Sequence, residues 1–99
     1  MALEIVWSPR ALDNFHEVIL YLEKNWTDLV VKDFVTRTEK VIQLISEHPE
    51  MFKQVSFQNA SREAVITKNN LLIYRVYTNK IVLLTVFDTR QHPRKKVVS

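Results

Sequence analysis

Arg62-Glu63-Ala64-Val65-Ile66-Thr67, Leu71-Leu72-Ile73-Tyr74-Arg75-Val76-Tyr77 and Ile81-Val82-Leu83-Leu84-Thr85-Val86-Phe87 stand in succession in the second half of the chain. Each run is rich in β-branched and aromatic residues, and only a few residues separate one from the next. Links that short join antiparallel neighbours, because a parallel neighbour needs a crossover of about a dozen residues or more. The spacing therefore predicts a three-stranded meander. The chain has no glycine, so the turns are expected to place Asn69, Asn70 and Asn79 at positive φ, which asparagine tolerates better than most residues.

Upstream, Leu3-Glu4-Ile5-Val6-Trp7 is a short strand-like run with Leu3, Ile5 and Trp7 on one face. Ser8-Pro9 then offers an N-cap residue followed by proline at the first helical position. Leu12, Phe15, Ile19, Leu22 and Trp26 recur at helical spacing and predict one buried stripe, with Asp13, Glu17 and Lys24 opposite. Asn25-Trp26-Thr27-Asp28 reads as a connection in which Thr27 or Asp28 caps a second helix. Val31, Phe34, Val41 and Ile45 form the buried side of that helix, and His48-Pro49 stops it. Two helices joined so closely form an antiparallel hairpin whose stripes must be covered by a sheet. Residues 51–60 carry only a strand-like run around Val55 and are given no role. The expected fold is α+β, in the order β-α-α-β-β-β, with a helical hairpin packed on an antiparallel sheet in one domain over residues 1–99.

Composition removes several classes of function. With 46% hydrophobic and 25% charged residues, a chain of this length can bury one core without disulfides or metal. The absence of cysteine removes a disulfide framework, a thiol nucleophile and cysteine-ligated zinc. The absence of glycine argues against the phosphate-cradling loops of nucleotide-binding folds. His16, His48 and His92 lack metal-ligand spacing, so no metal site and no cofactor are expected. No apolar run approaches membrane-spanning length, and Met1-Ala2-Leu3-Glu4 has neither the basic nor the apolar region of a signal peptide. We expect a soluble cytoplasmic protein with no membrane partner.

Charge is distributed unevenly. Residues 1–50 hold five basic and nine acidic side chains (net −4), whereas residues 51–99 hold nine basic and two acidic (net +7). A basic half of this kind suits a polyanion or an acidic partner protein. Metal-independent phosphoryl chemistry on RNA needs a base, a general acid and cations around one phosphate. Arg62, Arg90 and His92 are the candidates for such catalytic roles, with His92 titrating near neutrality. Arg62, Arg75, Arg90, Arg94, Lys95 and Lys96 are the candidate target-binding cations. For Arg75 the competing reading is a side chain that snorkels from a sheet face; for the tail it is a solvated charge run. In an antiparallel meander Arg62, at the start of the first strand, lies away from the end of the third.

The Ser8-Pro9-Arg10-Ala11-Leu12 helix start, the helical hairpin ending at Pro49 and the arginine at 62 form part of an ordered set. The strand Leu72-Ile73-Tyr74-Arg75-Val76 and the ending Val86-Phe87-Asp88-Thr89-Arg90-Gln91-His92-Pro93 complete it. Over nearly the whole chain, this set resembles the RelE/ParE superfamily of type II toxins. The resemblance implies a toxin of a plasmid-stabilisation type, neutralised by a cognate antitoxin whose C-terminal segment is usually acidic or amphipathic. It also implies assembly as a homodimer or a toxin–antitoxin hetero-oligomer. RelE-like members are ribosome-dependent, metal-independent mRNA endoribonucleases, whereas ParE-like members poison DNA gyrase. The RelE-like pattern expects an arginine where this chain has Leu71. The resemblance is thus ParE-like more than RelE-like, beside a third reading in which a degenerate member only binds its antitoxin.

Overall fold

The computed structural model describes residues 3–56 and 60–90 of the chain. Its elements are β1 (Glu4–Trp7), α1 (Pro9–Asn25), α2 (Asp28–Glu47), β2 (Lys53–Ser56), β3 (Ser61–Thr67), β4 (Asn70–Val76) and β5 (Lys80–Asp88). One five-stranded sheet runs in the order β1-β5-β4-β3-β2. All neighbours are antiparallel except β1, which lies parallel to β5 with Ile5 opposite Ile81. The expected helical hairpin on a sheet is present, with β2 as an additional edge strand where the sequence offered only a run around Val55.

Ser8 joins the first helix to the sheet. Its hydroxyl accepts the Ala11 N–H as the N-cap and donates to the Leu84 carbonyl of β5, at 3.0 and 3.1 Å. Pro9 follows at the start of the helix, where its missing N–H has no intrahelical partner to lose. The buried side of α1 is rotated from the expected stripe. Ala11, Val18 and Leu22 are buried with Phe15 packed against them, whereas Leu12 and Trp26 are exposed. Residues 11, 15, 18 and 22 make an equally regular helical stripe, and the small Ala11 lets the helix start close to β5. Trp26 adopts an extended backbone as the C-cap and so leaves the helical face altogether.

Thr27 caps α2, accepting the Val30 N–H. Phe34 and Ile45 are buried as expected, Val31 and Val41 pack beside them, and Thr38 joins the stripe by donating its hydroxyl to the Phe34 carbonyl at 2.8 Å. The helices meet the sheet through Ala64, Ile66, Leu72, Tyr74, Ile81, Leu83 and Val86. Trp7, Phe15 and Phe34 form a run of aromatic contacts with ring centroids 5.2 and 5.4 Å apart.

The turns are not built on left-handed asparagine. Among the described residues only Ala60 has positive φ, at 51°. In the β3–β4 turn the Thr67 hydroxyl accepts the Asn69 N–H and donates to Asn70 Oδ1. Side-chain hydrogen bonding therefore closes a turn that positive φ was expected to supply.

Candidate functional site

Arg62, Arg75 and Arg90, the candidate arginines among the described residues, do not converge on one point. Arg62 lies opposite Tyr74 in the β3–β4 ladder, so the two share the helix-facing side of the sheet. Its Nη1 donates to the carbonyls of Phe52 and Glu50 at 2.7 and 3.3 Å, and the Tyr74 hydroxyl donates to the Pro49 carbonyl at 2.7 Å. Both side chains thus tie the chain leaving α2 to the sheet. Arg75, one residue beyond Tyr74, projects from the opposite face, with its guanidinium carbon 4.9 Å from the Tyr77 ring centre; Lys80 Nζ lies 5.7 Å from the same ring.

Arg90 stands at the other end of the strands. Tyr74 lies opposite Arg62, whereas Asn70 lies opposite Asp88. Four residues of β4 separate the two registers, roughly 13 Å at about 3.3 Å per residue. Asp88 is only 3% exposed. Its carboxylate accepts from Arg90 Nε at 3.3 Å, from Nη2 at 3.4 Å and from the Arg90 backbone N–H at 2.8 Å. The guanidinium also lies 5.0 Å from the Tyr21 ring centre. A carboxylate on one edge and an aromatic ring on one face fix the orientation of that guanidinium. His92, Arg94, Lys95 and Lys96 lie outside the described residues.

Leu71, where the RelE-like pattern expects arginine, is 5% exposed and lies opposite Val65 and Phe87. Its side chain is packing material in the central strand. Among the described residues no group of three or more histidine, aspartate or glutamate side chains could hold a metal ion.

Burial pushes the Tyr74 hydroxyl up from 10.0 to about 12, against the smaller opposing effect of the Arg62 charge. The unfolded chain releases this proton near pH 10 while the folded chain retains it to about pH 12. The contribution to stability is therefore complete below pH 10 and lost as pH rises to about 12. Tyr74→Phe is expected to remove that part of the alkaline decline. It also leaves the Pro49 carbonyl without its donor, at a cost of about 1–3 kcal/mol. Urea unfolding of both proteins across this range checks both effects; equal slopes would contradict the assignment.

A cleft of about 450 Å³ opens near Arg90, between the tip of the helical hairpin and the β3–β4 turn. Leu22, Trp26, Val30 and Phe34 supply its apolar wall, and Arg37, Lys68, Asn70 and Arg90 its polar side. Arg37 is paired with Asp33 at 2.8 Å. Asn70 is 3% exposed, and its Nδ2 has no hydrogen-bond partner. The Thr67 hydroxyl accepts the Asn69 N–H and donates to Asn70 Oδ1, and the donor end of that amide is left unpaired among the described residues. Sequence reasoning found Arg90 but missed this setting. The isolation of Asp88 as one of two acidic residues after residue 50 was the available signal.

The sequence profile of the family described as "ParE toxin of type II toxin-antitoxin system, parDE" matches residues 5–93. No curated protein sequence matches the chain. Among solved structures, the chromosomal ParDE system of P. aeruginosa superposes with a TM-score of 0.74 at 10% identity, covering 88% of this chain and 96% of the other. The YoeB dimer from Staphylococcus aureus gives 0.64 at 20% identity, covering 88% and 97%. The E. coli DinJ-YafQ toxin–antitoxin complex gives 0.63 at 10% identity, covering 93% and 98%. At these identities the likeness to solved structures establishes the shared fold, whereas the profile match spans most of the sequence: the chain belongs to the ParE toxin family of type II toxin–antitoxin systems.

Proposed function

We propose that this toxin arrests growth in the cytoplasm by binding DNA gyrase, without cutting RNA, and that a cognate antitoxin neutralises it. The observation that carries this reading is Leu71, a buried apolar side chain where a nuclease of this superfamily would hold phosphate. Among the described residues the other candidate cations do not gather around Leu71. Arg62 lies on the helix-facing side of the sheet and donates through Nη1 to backbone carbonyls, Arg75 shares the face of Leu71 but stands four residues along β4, roughly 13 Å away, and Arg90 is held by Asp88 on the helix-facing side. One phosphate cannot be held by groups so dispersed, and a single well-placed donor is worth about a hundredfold or more in rate. A protein target places no such demand, because separated charges on a surface can each meet a partner. The family match supports the gyrase side of this choice.

Colony formation tests the proposal. Induced expression of the chain alone is expected to abolish colonies, and co-expression of the product of the adjacent gene to restore them. Unimpaired growth at a high level of soluble, folded protein would contradict the toxin reading and favour a degenerate member that only binds its antitoxin.

A further inference from the structure

We infer that this toxin meets its protein target with the open face of the sheet, in a contact centred on Arg75 and Tyr77 beside the β4–β5 hairpin. Gyrase as the target rests on the function proposed above; the choice of surface rests on the sheet itself.

Both helices pack on one face of the sheet, against Ala64, Ile66, Leu72, Tyr74, Ile81 and Leu83. Successive strand residues point to opposite faces, so Val65 of β3, Ile73 and Arg75 of β4 and Val82 of β5 lie on the other one. Among the described residues no helix or strand covers that face. Val82 lies opposite Arg75 on one side and Val6 on the other. Val65 is 59% exposed, and so is 40% of Tyr77, whose N–H closes the hairpin by donating to the Lys80 carbonyl at 2.8 Å. The Arg75 guanidinium carbon lies 4.9 Å and Lys80 Nζ 5.7 Å from the Tyr77 ring centre. Neither cation forms an ion pair among the described residues. Contact with the ring restricts both side chains before a partner arrives, which lowers the ordering cost of binding.

Tyrosine and arginine in mutual contact beside aliphatic side chains make up the kind of cluster that carries most of the energy at protein interfaces. The unpaired guanidinium calls for a carboxylate on the partner. Charge on the rest of the face favours a protein over a nucleic acid. Glu4 lies opposite Lys80, and Glu63 lies between Ile73 and Lys53 across the strands. A phosphate chain laid here would meet Glu4 and Glu63 as well as Lys53, Arg75 and Lys80, and the two signs nearly cancel. A protein surface carries both signs and can answer each. This surface is also distinct from the cleft beside Arg90: Asn70, which lines that cleft, stands five residues before Arg75 on β4, roughly 16 Å away.

Titration of gyrase and supercoiled plasmid with the purified chain tests this, reading the concentration that gives half-maximal accumulation of cleaved DNA. Tyr77→Ala and Arg75→Gln are each expected to raise that concentration by about tenfold or more. Arg75→Lys keeps the charge but not the planar fork and should recover part of the loss. Lys40→Gln, an equal change of charge at an exposed position on α2, should leave the concentration unchanged, and circular dichroism verifies that all four variants are folded. A parent that traps cleaved DNA while Tyr77→Ala and Arg75→Gln trap it equally well removes this surface and leaves the proposed function. If those two variants trap DNA normally but no longer bind the product of the adjacent gene, the face belongs to the antitoxin and the inference is overturned. Binding of duplex DNA in the absence of gyrase, abolished by Arg75→Gln, would overturn it in favour of a nucleic-acid site. A folded parent that neither binds gyrase nor traps DNA removes the proposed function and this docking surface together.

Discussion

Leu71→Ala is expected to destabilise the protein by about 2–5 kcal/mol and to weaken toxicity only as far as it reduces the folded fraction. Leu71 lies in β4, paired on one side with β3 and on the other with β5, and is buried between Val65 and Phe87. Truncation removes its packing contacts. Val65 is itself 59% exposed, so water and neighbouring side chains can partly fill the space, which places the effect toward the lower end of that range. Leu71→Met conserves volume and is expected to stay within about 1.5 kcal/mol of the parent, with full toxicity. Urea unfolding paired with the growth assay checks both. A Leu71→Ala protein as stable as the parent but harmless would move this side chain from packing into the functional surface.

Replacing Arg90, Arg94, Lys95 and Lys96 together by glutamine is expected to slow association with an acidic target by about 10- to 1000-fold at low salt. The change carries the formal charge from +3 to −1 and removes the densest positive cluster in the chain. The deficit should shrink as salt rises, because screening already weakens the parent's advantage. Arg90 makes a second contribution, since its loss strips the buried Asp88 of its guanidinium partner. The triple replacement of Arg94, Lys95 and Lys96 isolates the long-range term from that local one. Association rates for parent, triple and quadruple variants as a function of salt separate the two. Indifference of the triple variant at low salt would show that the tail takes no part in target encounter.

The parts of the fold written in local chemistry were legible from sequence. Ser8-Pro9 and Thr27 mark helix starts through capping, His48 ends α2, and three β-prone runs with short links give the meander. Choices decided by tertiary packing were not legible. Two helical stripes on α1 have equal periodicity, and only closeness to β5 favours the one through Ala11 over the one through Leu12. The parallel pairing of β1 with β5 likewise follows from where the hairpin returns the chain, not from Leu3–Trp7 itself. Of the candidate site, Arg90 stands out in sequence as a basic residue. The partners that orient it, Asp88 and Tyr21, come from separate elements and converge only in three dimensions. Arg62 was legible as a charge but not in its setting, since its Nη1 donates to backbone carbonyls ten and twelve residues earlier.

The central claim, a toxin that binds gyrase and does not cut RNA, is tested most directly with one purified preparation in two assays. The protein is added, in parallel, to ribosomes programmed with a defined mRNA and to gyrase with supercoiled plasmid. The account predicts intact mRNA at every codon in the ribosomal A site and accumulation of gyrase-cleaved DNA. Cleavage of A-site mRNA that disappears on substituting Arg62 or His92, with no trapped gyrase complex, would contradict it and show a nuclease site rebuilt around other cations.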